Sequence, residues 1–456
     1  MTANRGASHA HVLRAPLASS CLGQEDTSSK PPRPRTPNTS PALPPCSTLY
    51  VMAKLHTTAQ QPDRAYLVAA DTPHTLLPAN ESIAELAELA RTAGAEVVGQ
   101  ATQKMNRPNV ATYIGKGKLE KVNAEAREKN ANVVIFDDEL SPSQQRNLER
   151  ALGTKVLDRT ALILDIFATR ASTREGKLQV QLAQTQYLLP RLAGQWSHLE
   201  RMEGAIGTRG PGETQIETDR RLVRGRIAKL RRDLEQVRRQ RSQRRQQRAR
   251  SGVPVVSLVG YTNAGKSTLM RAMSGADVLA EDRLFATLDP VTRRIRLPKG
   301  ETVLLTDTVG FIQKLPHDLV AAFRATLEEL EEADVLLHVV DVTHPNSMEQ
   351  VQAVTETLES LGVTDRPMVL ALNKVDQLEP VEGVPVEGYD EAVEVLRDTM
   401  GQPGNVVFVS ARRKWGLDEL RSKLEVALDG GLEAEEDALV ESPAALLDEL
   451  ISTKTG

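Results

Sequence analysis

The sequence predicts an α/β protein: a mostly parallel sheet with flanking helices on the C-terminal side, preceded by a small α/β domain and a helical hairpin. Three observations predict it. Short apolar runs alternate with amphipathic stretches from Ala65 to about Phe167, the pattern of consecutive strands and helices in a layered domain. Val223, Ile227, Leu230, Leu234 and Val237 then step by four and three residues through a mostly charged stretch, which draws one narrow apolar stripe on a long helix. Finally, the buried-strand run Val255 to Val259 ends at Gly260, and strand-helix units repeat to about Leu428.

The 456 residues suffice for two or three domains of about 100 to 200 residues, each with its own core. A hydrophobic fraction of 40% and a charged fraction of 26% are ordinary for a globular protein. The aromatic fraction of 3% argues against stacking platforms for single-stranded nucleic acid. A net charge of -4 hides a segregation: Arg220 to Arg250 is densely basic, whereas Gly430 to Leu450 is acidic. Both cysteines, Cys21 and Cys46, precede Met52, so the remainder has neither a disulfide framework nor thiolate ligands for zinc. No apolar run approaches the roughly 20 residues that span a bilayer, so the expectation is a cytoplasmic protein with at most peripheral membrane contact.

The segment 1–51 is rich in Ser, Thr, Pro and Arg and poor in acids, a composition that builds no core. It reads either as a disordered leader, an organelle transit peptide, or as sequence ahead of a natural start at Met52; the Met52 start is preferred. The first folded domain then covers 52–170, with strands at Ala65 to Ala70, Glu96 to Gly99 and Asn132 to Phe136. Helices fall at Ser82 to Ala93 and Lys118 to Lys129, the first with Ser82 and Glu85 as a capping box. A basic hairpin over 171–250 follows: a helix from about Lys177 to Leu192, the glycine-rich tip Gly204 to Glu213, and a long helix from about Gln215 to Arg248. The third domain is 251–428, and 429–456 is an acidic tail.

Chemistry concentrates in the third domain. Gly260-Tyr-Thr-Asn-Ala-Gly-Lys-Ser267 follows its strand at once and matches the P-loop pattern, with Thr268 leading into a helix. Glycines there let backbone N–H groups curl around phosphates, and the helix N-terminus adds a favourable dipole. Lys266 reaches the β- and γ-phosphates and Ser267 ligates magnesium. Gly260, Tyr261, Thr262, Asn263, Ala264, Gly265, Lys266, Ser267 and Thr268 are therefore candidate nucleotide contacts. The run Thr302 to Thr306 ends in Asp307-Thr308-Val309-Gly310, where Asp307 can hold magnesium through water and Gly310 can offer its N–H to the γ-phosphate.

Guanine, as opposed to adenine, is indicated by Asn373-Lys374-Val375-Asp376 after the run Met368 to Leu372. Asp376 can accept both the N1–H and the 2-amino group, a donor pair that adenine does not present on that edge. Asn373 can bond the far side of the base and the Lys374 stem can lie along it. Ser410 and Ala411, after Val406 to Val409, can meet the guanine oxygen through their backbone. Ordered motifs on four strand ends define a P-loop G domain that takes GTP or GDP with Mg2+. Within Leu284 to Pro290, Phe285 is a further candidate contact and Thr287 the candidate magnesium-sensing threonine, with Thr292 as the alternative. Lys266, Thr287 and Gly310 form the candidate catalytic set, and Ser267, Thr287 and Asp307 the metal set.

Together with Leu315 to Thr326 and the tip motif Gly207-Thr-Arg-Gly-Pro-Gly-Glu-Thr-Gln215, these motifs resemble the HflX family of GTPases from Ala65 to about Leu428. The resemblance implies a factor that binds the large ribosomal subunit and splits or rescues stalled ribosomes, with ATP binding in the N-terminal domain; a monomer is expected. It also implies that Arg209 sits near the peptidyl transferase centre. Many relatives carry a further folded C-terminal domain where this chain has only the acidic tail. A GTPase acting in ribosome assembly or RNA modification, and a switch for a protein partner such as a membrane protease, are the alternatives.

Phe311 stands where a Ras-like enzyme places a water-orienting Gln, so intrinsic hydrolysis is expected to be slow and stimulated by the ribosome. Asn263 occupies a position that resembles a potassium-coordinating Asn in related GTPases. Arg224, Arg231 and Arg238 on the basic helix are candidate rRNA contacts, with Arg209 at the tip. In the first domain, Gly115-Lys-Gly-Lys118 with nearby Arg107 reads as a helix start or a second phosphate site, and Asp137-Asp138-Glu139 as a solvated turn or a metal cluster.

Overall fold

A computed structural model describes residues 62–73, 77–192, 211–249, 252–275, 284–314, 330–363, 365–379, 385–400 and 405–430. The leader, the tip around Arg209, the segment 315–329 and the acidic tail lie outside the described residues.

The first sheet has four parallel strands, β1 (Arg64–Asp71), β2 (Glu96–Lys104), β3 (Val133–Phe136) and β4 (Lys155–Asp158), in the order β2-β1-β3-β4. A parallel sheet must be covered on both faces, and period-two alternation divides the side chains between them. Ala65, Leu67, Val133 and Ile135 pack with helices α1 (Ala79–Thr92) and α4 (Arg159–Arg170). Tyr66, Val68, Val134 and Phe136 pack on the other face with α2 (Lys116–Glu128) and α3 (Pro142–Leu152). β2 runs five residues beyond the predicted end at Gly99, because it pairs with β1 as far as Lys104 opposite Asp71.

One predicted cap is overturned. Helix α1 starts at Ala79 behind Pro78, without a side-chain cap. Ser82 and Glu85 are inside the helix and serve a different contact, described below. Ser141 instead forms the capping box, with Gln144 three residues on and Pro142 in the first turn.

Helix α5 (Arg174–Leu188) is capped by Thr173, and α6 (Pro211–Ala249) starts earlier than predicted and runs 39 residues, about 58 Å at the standard rise. Ile227, Leu230 and Leu234 bury the predicted stripe against Leu182, with Leu178, Leu189 and Val223 at its edge.

The second sheet has the order β10-β9-β8-β5-β7-β6, parallel except that β6 runs antiparallel to β7. Its strands are β5 (Val255–Val259), β6 (Val291–Arg296), β7 (Thr302–Asp307), β8 (Val335–Asp341), β9 (Met368–Asn373) and β10 (Val406–Phe408). Among the described residues, helices α7 (Lys266–Ser274), α8 (Ser347–Leu361), α9 (Tyr389–Met400) and α10 (Leu417–Leu428) accompany it. The loops after β5, β7, β9 and β10 carry the motifs, at the carboxyl ends of parallel strands where open α/β sheets bind ligands.

The first domain has a core of its own around Phe136 and the third has one around Leu258, and a further cluster is shared between them. Ile166, Phe167 and Ala171 join Tyr261, Leu284, Phe285, Phe311 and Ile312 in one buried cluster. Phe167 meets Phe285 edge to face at 4.7 Å between ring centroids.

Candidate nucleotide-binding site

β5 delivers the chain directly into the loop Gly260 to Gly265, and α7 begins at Lys266. Gly265 takes φ 95°, and a Cβ there would lie 2.3 Å from Asn373 Nδ2, so the turn requires glycine. Asn263 also takes a left-handed φ of 63°, which asparagine tolerates better than most residues. The cleft is lined by Thr262, Asn263, Gly265 to Thr268, Phe285 to Thr287, Thr308 and Gly310.

Lys266 is buried, and its Nζ donates to the Gly260 and Tyr261 carbonyls at 2.9 and 2.7 Å. Burial lowers its pKa from 10.5 to about 8, with the Asp307 carboxylate opposing the shift. A Cβ on Gly310 would lie 3.0 Å from Lys266 Nζ and 2.9 Å from Thr262 Cα, so this close approach also needs glycine. His338, beside Val259 on β8, is buried and held neutral, its pKa lowered to about 3 by desolvation and by Lys266.

Three oxygens converge opposite Lys266. Ser267 Oγ donates to Asp307 Oδ2 at 2.6 Å, Thr287 Oγ1 donates to the same oxygen at 2.9 Å, and the two hydroxyls are 2.8 Å apart. Thr292, the alternative, sits in β6 with its hydroxyl 3.1 Å from that of Thr306. Asp307 Oδ1 is buried with no hydrogen-bond partner, and burial raises the carboxyl's pKa against the pull of Lys266. An unpaired buried carboxylate oxygen is costly, and a hard cation would satisfy it.

On the base side, Asn373 Nδ2 donates to the Ala264 carbonyl at 2.8 Å and its Oδ1 accepts the Ala411 N–H at 3.0 Å. The side chain expected on the far side of a base therefore also ties the P-loop to the Ser410 loop. Ser410 Oγ donates to Asp376 Oδ1 at 2.6 Å, which fixes that carboxylate. Lys374, with φ 68°, places Nζ 2.6 Å from Asp341 Oδ2, and Val375 is buried in the core beneath it.

Some candidates point elsewhere. Tyr261 turns away from the cleft: its hydroxyl bonds Glu85 and accepts the Gln313 N–H at 3.0 Å. Thr308 donates to the Leu258 carbonyl at 2.6 Å, and Val309 is buried in the shared core. Phe311 is buried too; its N–H donates to Gly260 O at 3.1 Å and its carbonyl accepts the Thr262 N–H at 2.7 Å. Arg224 and Arg231 are exposed on α6, whereas Arg238 is half-buried.

Sequence reasoning missed a polar cluster across the two sheets. Gln313 Nε2 donates to Ser82 Oγ at 3.1 Å, and Ser82 Oγ to Asp137 Oδ2 at 2.6 Å. Arg159, wholly buried, pairs with Glu85 and, at 2.6 Å, with Asp137. Asp137 is therefore buried in this cluster, whereas Asp138 is half-buried and Glu139 exposed, and among the described residues no group of three His, Cys, Asp or Glu could hold a metal. Gly115 is the N-terminal cap residue of α2, with its N–H on Gln103 Oε1 at 3.0 Å.

The sheet order, the phosphate loop and the loops converging on it define a P-loop GTPase, which binds and hydrolyses GTP. Three family profiles match in chain order: GTP-binding GTPase N-terminal over 80–168, GTP-binding GTPase middle region over 170–248, and 50S ribosome-binding GTPase over 255–374. The chain is 50% identical over 368 residues to the GTPase HflX of Caldanaerobacter subterraneus subsp. tengcongensis, covering 80% of this chain and 81% of that protein. It is 48% identical over 351 residues to the GTPase HflX of Escherichia coli, covering 77% and 80%. It belongs to the HflX GTPase family.

Proposed function

We propose that this GTPase binds the large ribosomal subunit in its GTP-loaded form and leaves after hydrolysis, splitting or rescuing stalled or idle ribosomes. The observation that carries the reading is the basic helix α6: it buries one apolar stripe against α5 and leaves Arg224 and Arg231 exposed beside a GTPase domain. Exposed guanidinium groups neutralise backbone phosphate, giving an affinity for rRNA that falls steeply with salt. The description of the matched profile as a 50S ribosome-binding GTPase supports the same partner.

The donor set Ser267 Oγ, Thr287 Oγ1 and Asp307 fits Mg2+, which takes hard oxygen ligands; when bound it offsets charge on the β- and γ-phosphates. Lys266 supplies the fixed positive charge, Gly310 an N–H for the γ-phosphate, and Asp376 the acceptor for guanine. Asn263, at the cleft, is the candidate ligand for an activating potassium ion. The buried Phe311 side chain orients no water, so hydrolysis is slow until the ribosome supplies a polarising group.

Sucrose-gradient profiles of whole ribosomes test the splitting role. The protein with GTP shifts whole ribosomes to free subunits; an unchanged profile at saturating protein contradicts it.

A further inference from the structure

Asp289 lies two residues beyond Thr287, half-buried and outside the phosphate cleft. It faces the chain between the first domain and the basic hairpin, 117 residues earlier. Asp289 Oδ2 accepts the Ser172 N–H at 2.8 Å, the Ser172 hydroxyl at 2.6 Å and the Thr173 N–H at 2.8 Å. Its Oδ1 accepts the Thr173 hydroxyl. Thr173 is also the cap of α5, its Oγ1 accepting the Gly176 N–H at 3.0 Å. A Cβ on Gly176 would lie 2.4 Å from Asp289 Oδ1, so the carboxylate is seated against the helix itself.

We propose that Asp289 is a positioning residue for GTP hydrolysis: by anchoring the segment Thr287 to Asp289 on Ser172 and Thr173, it holds the Thr287 hydroxyl beside Ser267 and Asp307. This rests on the reading of Thr287 as a metal-side residue. Leu288, between them, is buried in the shared core, so the short link between Thr287 and Asp289 has little slack. Bonds to an ionised carboxylate are the stronger kind, and two of the donors are backbone N–H groups, one of them on Thr173, the residue that caps α5. Because α5 is the helix against which α6 packs, the same anchor makes the Thr287 hydroxyl answer to the position of the basic hairpin. A displacement of α5 would be passed to the phosphate side through one side chain.

The test uses the full chain with GTP and four variants, D289A, D289N, a combined S172A/T173A and the triple D289A/S172A/T173A, alongside T287A. Measured are kcat, the Mg2+ concentration for half-maximal hydrolysis, GDP affinity and the unfolding midpoint. D289A should lower kcat about tenfold and raise the Mg2+ requirement, with GDP affinity changed less than about twofold. D289N, which keeps an oxygen acceptor but loses the charge, should fall between D289A and the parent. Adding D289A to S172A/T173A should then cost less than D289A alone, since the hydroxyl bonds are already gone. An unchanged kcat and Mg2+ requirement in D289A, or a loss of kcat that only follows a loss of folded protein, overturns the proposal. Full Mg2+-dependent activity in T287A overturns instead the reading of Thr287 on which it rests.

Discussion

Lys314, on the segment that follows the second phosphate-side loop, places its Nζ 2.5 Å from Asp137 Oδ2 at the end of β3. It also lies 2.8 Å from Asp138 Oδ1. Desolvation raises the Asp137 pKa and Lys314 works against that shift, so the lysine helps to keep a buried carboxylate charged. K314M leaves Asp137 bonded to Ser82 and Arg159 and should cost about 1–3 kcal/mol of stability. D137A strips the wholly buried Arg159 of one partner and should cost more, about 3–5 kcal/mol. Urea denaturation of both variants checks the order; equal costs would show that Arg159 does not depend on Asp137.

The proposed selectivity for guanine rests on Asp376. An Asn there keeps the shape but replaces one acceptor by a donor, which guanine's N1–H and 2-amino group cannot use. D376N should weaken GTP about 100-fold or more and favour xanthosine triphosphate, whose oxygen at position 2 accepts. Competition binding with both nucleotides measures it, and undiminished GTP affinity would remove Asp376 from the base contact.

Lys266 predicts a pH effect with a definite sign. Burial lowers its pKa in the nucleotide-free protein to about 8 from the 10.5 of an exposed lysine. Between those values the unfolded chain holds a proton that the folded one lacks, so stability without nucleotide rises with pH across that window. Phosphate beside Nζ restores the charge, so GTP binding takes up a proton near pH 9 and weakens as pH rises above about 8. Calorimetric titration in buffers of different ionisation enthalpy reads the uptake; none at pH 9, with flat affinity, contradicts the prediction.

Asn263 gives a prediction about monovalent ions. GTP hydrolysis should be several-fold faster in potassium chloride than in sodium chloride at equal ionic strength, and N263A should abolish the difference. Equal rates in both salts for the parent protein would remove potassium from the account.

What the sequence made legible was local. The P-loop, the Asp307 loop, the Asn373 motif and the Ser410 loop are each a few consecutive residues after an apolar run, and each lies at the end of the strand expected for it. The apolar stripe of α6 was legible for the same reason, since it repeats along one helix. What pairs across the chain was not. Ser82 and Glu85 have the local spacing of a capping box, yet their partners Asp137 and Tyr261 are 55 and 176 residues away. Tyr261 sits inside a phosphate-binding motif, but a large side chain in a tight loop has to leave the cleft, and the shared core receives it. Asp289 reads as an ordinary acid before a proline until Ser172 and Thr173 are brought to it.

A hold on the large ribosomal subunit through the basic helix, made with GTP and released with GDP, is what the proposed function requires. Co-sedimentation with purified large subunits tests it most directly, with a non-hydrolysable GTP analogue or with GDP, over a range of salt. The protein should pellet with the analogue and little with GDP, less as salt rises and less when Arg224 and Arg231 are both changed to Glu. Equal pelleting with the two nucleotides, or none with either, would contradict it.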